Sequence, residues 1–387
     1  MDMKEMNCIK QILIIISISI LIIPSLFIYG FSRDNTLNDD ERLINVISSY
    51  ENLNTSFFEA YNLGQFGQIA YGITSSDFNH DGFDDFAVSY ATSPFNYSTI
   101  SIFFNDGENE YNRDEVCIFN YSYIDSLDSE DYDGDGDIDI IFSHSYHNNR
   151  SRNICGYVTI LFNEGACNFN NGRTIIKLGN ETDEIDKRHN PRITSGDYDC
   201  DGDIDIITGD MSGNVELYLN DGKAVFTNYG NIHDFGYASC GLSSIDYDKD
   251  GDIDVLIIAA NNESDRHNGK IYLKENTGII NLSDNKTTDV IVIISKFVNS
   301  ASITSVDYDN DGDIDFIVGI MNRIYLYQNN GGAYNKLLIC VLPPSNEGFG
   351  DNMTFGGLVT GDFNNDGFED FIAGGSIAIL RTFINDN

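Results

Sequence analysis

One nine-residue pattern, repeated six times, constrains this chain more than any other feature. The copies read DFNHDGFDD from Asp77, DYDGDGDID from Asp131, DYDCDGDID from Asp197, DYDKDGDID from Asp246, DYDNDGDID from Asp307 and DFNNDGFED from Asp362. Each has an aromatic residue at position 2, glycine at 6 and aspartate at 9, with Asp or Asn at 1, 3 and 5. Side-chain oxygens at that spacing turn inward around one point, and the glycine permits a bend that a Cβ resists. Such a cage suits a hard cation with six to eight flexible oxygen ligands, calcium rather than octahedral, water-retaining magnesium. The helix-loop-helix calcium hand is excluded. Its bidentate Glu at position 12 is replaced here by Val88, Phe142, Thr208, Ile257, Val318 and Ala373. A single acidic turn is ordinarily a solvated loop, but six copies in one frame leave that reading no room.

Each loop is followed by a short β-branched or aromatic run (86–88, 140–142, 206–207, 255–258) that reads as a buried strand. A second strand then ends in an Asn/Gly turn: 101–104 before Asn105-Asp106-Gly107, 158–162 before Asn163-Glu164-Gly165, and 215–219 before Asn220-Asp221-Gly222. The same order returns at 271–273 before Asn276-Thr277-Gly278 and at 324–327 before Asn329-Asn330-Gly331. Such turns favour the positive dihedrals of tight hairpins. An outer strand follows (224–226 or 336–339), and a strand of small residues, as at 301–306, leads into the next loop. Each unit is therefore four antiparallel strands. First-Asp spacings of 54, 66, 49, 61 and 55 residues suit four-stranded blades, and blades repeated radially make a β-propeller.

The expected fold is thus an all-β propeller of six four-stranded blades, with seven as the alternative count, preceded by an N-terminal hydrophobic helix. The last unit lacks an outer strand, since Asn385 falls where every other unit turns. Residues 56–61, ahead of the first loop, match the outer-strand pattern and have no blade of their own. Pairing these two ends would close the ring and cover an exposed edge.

On these loops and strands the chain resembles the FG-GAP/VCBS repeat family, which includes the propeller of integrin α subunits. The resemblance covers residues 55 to 387. It implies calcium on one face of the propeller, about six ions, held by the side chains of positions 1, 3, 5 and 9 and the carbonyl of 7. The first site would be Asp77, Asn79, Asp81, the Phe83 carbonyl and Asp85, and the second Asp131, Asp133, Asp135, the Asp137 carbonyl and Asp139. The third would be Asp197, Asp199, Asp201, the Asp203 carbonyl and Asp205, and the fourth Asp246, Asp248, Asp250, the Asp252 carbonyl and Asp254. Asp307, Asp309, Asp311, the Asp313 carbonyl and Asp315 would form the fifth, and Asp362, Asn364, Asp366, the Phe368 carbonyl and Asp370 the last. The Gly-Ala-Pro half of the integrin signature is absent, although Phe-Gly pairs stand at Phe66, Phe235 and Phe355.

The formal charge of −39 takes its meaning from these loops, which supply 28 of the 61 acidic residues, four in each terminal copy and five in each central one. No basic stripe suggests nucleic acid. Residues 12–31 form a charge-free apolar run after Lys4 and Lys10 and before an acidic segment from Asp34, an order that keeps the basic side inside and exports the body. Residues 1–32 are read as a signal peptide or a retained transmembrane anchor, 33–54 as a linker and 55–387 as the propeller. Nine Asn-x-Ser/Thr sequons, at Asn54, Asn96, Asn120, Asn149, Asn180, Asn262, Asn281, Asn285 and Asn352, fit an exported surface, as do six cysteines beyond the apolar run. The body is expected at the cell surface or secreted.

The repeats explain nearly all the polar patterning, so the expected activity is binding of an extracellular protein or glycan. The alternatives are a polysaccharide-active enzyme on a propeller scaffold and a structural envelope component. No catalytic residue is assigned. His80, His144, His147, His189, His233 and His267 read as solvated surface histidines, with His144 and His147 in a loop between strands, and no GxSxG or HExxH occurs.

Overall fold

The computed structural model describes residues 59–385 apart from 66–69, 94–96, 108–110, 121, 148–153, 171, 179–190, 211, 237–238, 261–267, 279–281, 283–287, 296–300, 321–322, 342–356 and 375–378. The N-terminal apolar run and the sequons at Asn54, Asn96, Asn149, Asn180, Asn262, Asn281, Asn285 and Asn352 lie outside these residues, as do His189 and His267.

Six four-stranded antiparallel sheets form the blades of a propeller. Blade 1 comprises Ala70–Ser76, Asp85–Ser93, Tyr97–Asn105 and Tyr111–Asn120. Blade 2 comprises Ser122–Glu130, Asp139–His147, Ile154–Leu161 and Arg173–Leu178, and blade 3 Arg192–Gly196, Asp205–Gly209, Asn214–Leu219 and Thr227–Asp234. Blade 4 comprises Ser239–Ile245, Asp254–Ala260, Asn268–Lys274 and Thr288–Ser295, and blade 5 Ala301–Val306, Asp315–Ile320, Arg323–Asn329 and Tyr334–Val341. Blade 6 is built from both ends of the propeller: Leu358–Gly361, Asp370–Gly374 and Ile379–Ile384 receive Glu59–Gln65 as their outer strand. The pairing runs from Glu59 opposite Ile384 to Gln65 opposite Ile379. This is the expected closure, made slightly later in the sequence than residues 56–61.

The strand after each loop opens, past its leading Asp, on an apolar run because it is covered on both faces, as in Asp205–Gly209 and Asp315–Ile320, where every residue is buried. The apolar side chains gather between blades rather than within them. Leu256, Ile258 and Leu273 of blade 4 pack with Ile303, Phe316 and Val318 of blade 5, while Ile317 and Leu326 of blade 5 pack with Phe371 and Phe383 of blade 6. Four further clusters fill the remaining interfaces.

Two expectations need correction. The outer strand of blade 3 is Thr227–Asp234 and not 224–226. Ala224 sits in a turn with φ of 53° and donates its N–H to the Tyr132 carbonyl of blade 2 at 3.0 Å, so its backbone is committed to the neighbouring blade and not to a strand. His144 and His147 belong to a strand, not a loop. His144 stacks on Tyr157, its Nε2 shares a hydrogen bond with Thr159 Oγ1 at 3.0 Å, and burial lowers its pKa to about 4. Cys117, Cys167 and Cys200 are free thiols.

The six innermost strands share a pattern visible once they are aligned on the loop that follows. Four residues before each first Asp stands Ile73, Leu127, Ile193, Leu242, Ile303 or Leu358, and two before it a hydroxyl, Ser75, Ser129, Ser195, Ser244, Ser305 or Thr360. The hydroxyls tie each blade to the next around the ring. Thr74 meets Ser129 at 2.8 Å, Tyr132 meets Ser195 at 2.6 Å and Thr194 meets Ser244 at 2.7 Å. Ser243 meets Ser305 at 3.4 Å, Thr304 meets Thr360 at 3.3 Å, and Ser75 donates to the Thr360 carbonyl at 2.8 Å to complete the circle.

Candidate metal centres

Each acidic loop joins the innermost strand of a blade to the second, so the ring carries all six on one face. The Gly at position 6 has φ between 90° and 96° in every copy, beyond the left-handed region that other residues tolerate. Position 4 is left-handed too, but at 53–60° it accepts His80, Cys200, Lys249, Asn310 and Asn365.

The carboxylates shape the loop before any ion is considered. In the first copy Asp77 accepts the N–H groups of Asp81 and Gly82 at 3.0 and 2.9 Å, and Asp81 accepts that of Phe83 at 3.0 Å. The third copy repeats this with Asp197 receiving Asp201 and Gly202, and Asp201 receiving Asp203. The aspartate at position 9 is buried in all six copies and grips two backbone N–H groups, one from position 2 and one from the Asn of the turn after the third strand. Asp205, for example, accepts from Tyr198 at 3.0 Å and Asn220 at 2.8 Å. Burial raises these carboxyls, only partly offset by the two N–H bonds: Asp85, Asp139, Asp205 and Asp370 to about 7, Asp254 and Asp315 to about 6.

In the four central loops three carboxylates converge, with one oxygen from each within 4.8 Å of the others: Asp131, Asp133 and Asp139; Asp197, Asp199 and Asp205; Asp246, Asp248 and Asp250; Asp307, Asp309 and Asp311. Asp133 and Asp307 each hold a buried carboxylate oxygen without a hydrogen-bond partner. Among the described residues only His80, 3.6 Å from Asp137, approaches a loop carboxylate as an ion pair. Clustered anions with orphaned oxygens and no protein counterion fit a divalent cation. The two terminal loops differ, because Asn79 and Asn364 donate their amide groups to Asp81 and Asp366 at 2.9 Å.

Neighbouring loops touch through position 4, whose side chain reaches the next blade. His80 lies against Asp137, Cys200 Sγ is 3.1 Å from Asp252 Oδ1, and Lys249 extends to Gly312. The turn asparagines make a second link that the Asn-Gly reading missed. Asn105, Asn220, Asn276 and Asn385 each donate Nδ2 to the position-2 carbonyl of the preceding blade (Phe363, Tyr132, Tyr198 and Tyr308) at 2.8–3.0 Å. Their recurrence at one place in every unit was the available signal. Blades 2 and 5 depart from the rule: in blade 2 Cys167 Sγ donates to the Phe78 carbonyl at 3.1 Å and buried Asn163 Nδ2 has no partner, and in blade 5 Asn329 Nδ2 donates to the Ile314 carbonyl of its own blade at 3.3 Å.

Against this geometry, a family profile described as FG-GAP-like repeat matches residues 197–257, 246–318 and 307–373, each match running from one acidic loop through the next. Residues 197–373 are similar to FG-GAP-like repeats. The three matched stretches together run from the loop of blade 3 to the loop of blade 6, and the same nine-residue pattern stands at Asp77 and Asp131. No curated protein matches the chain. Among solved structures, a mutant of NanB sialidase from Streptococcus pneumoniae is similar at 7% identity over 90% of this chain and 72% of that one, TM-score 0.54. A structure of BBS1N in complex with ARL6DN matches at 9% identity over 87% of this chain and 98% of that one, TM-score 0.45. At such identity the sialidase likeness concerns fold alone.

Proposed function

We propose that this FG-GAP propeller is an extracellular binding module, held rigid by calcium in its acidic loops and presenting a ring face to a protein or glycan ligand. The observation that carries the calcium assignment is the set of four carboxylate triads, two of them with an orphaned oxygen and none ion-paired to a protein cation among the described residues. FG-GAP repeats are often calcium-binding, and the two terminal loops would complete about six sites by turning the Asn79 and Asn364 carbonyl oxygens to the ion. Export is supported by the basic, apolar, acidic order of the N-terminal forty residues, and a membrane tether follows if the apolar run is retained.

Each site at a hundredfold excess of calcium over its dissociation constant adds about 2.7 kcal/mol, so four to six sites add on the order of 10 kcal/mol. Excess chelator is expected to lower the melting temperature by tens of degrees, and an unchanged melt would refute the calcium role. The binding role is tested by screening the calcium-loaded protein against glycans and extracellular proteins, with the chelated protein as control. Calcium-dependent capture of a defined ligand is expected. Binding that persists equally in the chelated, unfolded chain would refute it.

A further inference from the structure

The innermost strands line an open-ended cavity of about 140 Å³ on the propeller axis. By the same measure a water needs roughly 10–15 Å³, so the space holds on the order of ten waters or a solute of about that many heavy atoms. Its walls are mostly uncharged: the aliphatic ring described above, backbone, and hydroxyls. Four of those hydroxyls, on Thr74, Thr194, Ser243 and Thr304, are already bonded to hydroxyls of the next blade, which leaves few to recognise a neutral polyol.

Blades 2 and 3 break the pattern. Three residues before the loop, Thr74, Thr194, Ser243, Thr304 and Val359 are uncharged, but blade 2 has Asp128. Five before it, Gly72, Ser126, Gly241, Ser302 and Gly357 are small, but blade 3 has Arg192. These are the only charged side chains lining the cavity among the described residues. Asp128 is fixed by the Ser129 N–H at 2.9 Å and by the backbone and hydroxyl of Ser195. Arg192 Nη1 donates to the Asp125 carbonyl of blade 2, which occupies one of its five N–H groups.

The two charges do not pair with each other. No ion pair joins them, and the field of Arg192 acts on Asp125, behind it, but not on Asp128. Asp128 is held at Ser195 and the Arg192 guanidinium at the Asp125 carbonyl, three residues before Asp128 on its own strand, so the two charges are anchored about 10 Å apart along the axis at roughly 3.3 Å per residue. Two charge-assisted hydrogen bonds of about 2.8 Å leave a gap of a few ångströms between the groups that would meet them. We infer that the axial cavity is a binding site for a small zwitterionic amino acid, its ammonium on Asp128 and its carboxylate on Arg192. Burial raises the Asp128 carboxyl to about 6 despite its hydrogen bonds, which marks an anion lacking a counterion that an ammonium would supply.

The test is calorimetric titration of the folded, calcium-loaded protein with L-alanine and γ-aminobutyrate, against propionate and ethylammonium. At least one amino acid is expected to bind about tenfold or more tightly than either single-charge compound, ~1.4 kcal/mol. Asp128→Thr and Arg192→Ser copy what other blades carry at these positions, so they are expected to keep the ring intact and to lose that advantage. Asp128→Asn and Arg192→Gln serve if either fails to fold. The inference is overturned if neither amino acid binds wild type at about 10 mM, if propionate or ethylammonium binds as tightly, or if binding survives both substitutions.

Discussion

Asn220 and Asn163 occupy the same place in blades 3 and 2 but are bonded differently, which makes them a matched pair for measuring the link between blades. Asn220 Nδ2 donates to the Tyr132 carbonyl of blade 2 at 2.9 Å and to the Ile204 carbonyl of its own blade at 3.0 Å, while its Oδ1 accepts the Asp221 N–H at 2.9 Å. Asn163 keeps only the equivalent Oδ1 bond, from the Gly165 N–H at 3.2 Å, and its Nδ2 has no partner. Truncation to alanine removes the same atoms at both sites, so cavity costs largely cancel, and the difference is the worth of two Nδ2 bonds. A net 0.5–1.5 kcal/mol each gives about 2 kcal/mol. The Tyr132 carbonyl retains the Ala224 N–H, so the larger penalty falls on Ile204. Urea unfolding in saturating calcium should place the Asn220→Ala midpoint below that of Asn163→Ala by about 0.5 M, for a slope near 4 kcal/mol/M in a domain of this size. Midpoints that coincide would refute the assignment of inter-blade strength to the Asn side chain.

Deleting Glu59–Gln65 removes the outer strand of blade 6 and should abolish cooperative unfolding, whereas deleting 33–42 should leave the melt unchanged; equal melts would rule the closure out. Asp125 has its carboxyl raised by burial from 3.8 to about 6, so its ionised form is costlier in the folded state, and stability falls as pH rises from about 4 to about 6 and stays lower above. Asp125→Asn should therefore be more stable than wild type by on the order of 2 kcal/mol at pH 7.5 and indistinguishable at pH 4; a gap independent of pH would contradict this. Gly72→Ala would bring a Cβ within 2.7 Å of the Leu127 N in blade 2 and should cost about 1–3 kcal/mol in urea unfolding, and a neutral result would mean the inner ring yields more easily than its packing implies.

The six loops, the blade count and the closing strand were legible because each rests on local spacing: nine residues for the loop, an Asn-Gly turn for the hairpin, a missing outer strand at one end and a spare one at the other. What escaped was contact between blades. The segments ITSSD, LDSED, ITSGD, LSSID, ITSVD and LVTGD are plain to see once aligned, yet their hydroxyls bond partners 50 to 63 residues away, and 285 at the closure, and read in isolation as ordinary small-residue strands. Asn220 looks like a turn residue because it is one. Its second role depends on a carbonyl 88 residues earlier. The same reasoning misplaced residues 224–226, apolar enough for a strand but drawn into a turn by the Tyr132 carbonyl, and His144, whose aromatic cover comes from the adjacent strand. The terminal loops were treated as equal to the central four, and the amide donation by Asn79 and Asn364 sets them apart.

Glu59 stands opposite Ile384, so the two ends of the propeller leave from the same corner of blade 6 on adjacent antiparallel strands. Tension between a tether before Glu59 and a load fixed beyond Asn385 would act across that pair as on a zipper, breaking its hydrogen bonds one after another rather than all at once. Such an opening needs little force. It would leave the strand Ile379–Ile384 with a bare edge, and the free strand Glu59–Gln65 of a second copy has the register to fill it. Crowded on a surface and pulled from their ends, these rings would therefore exchange outer strands, joining mechanically without any new interface.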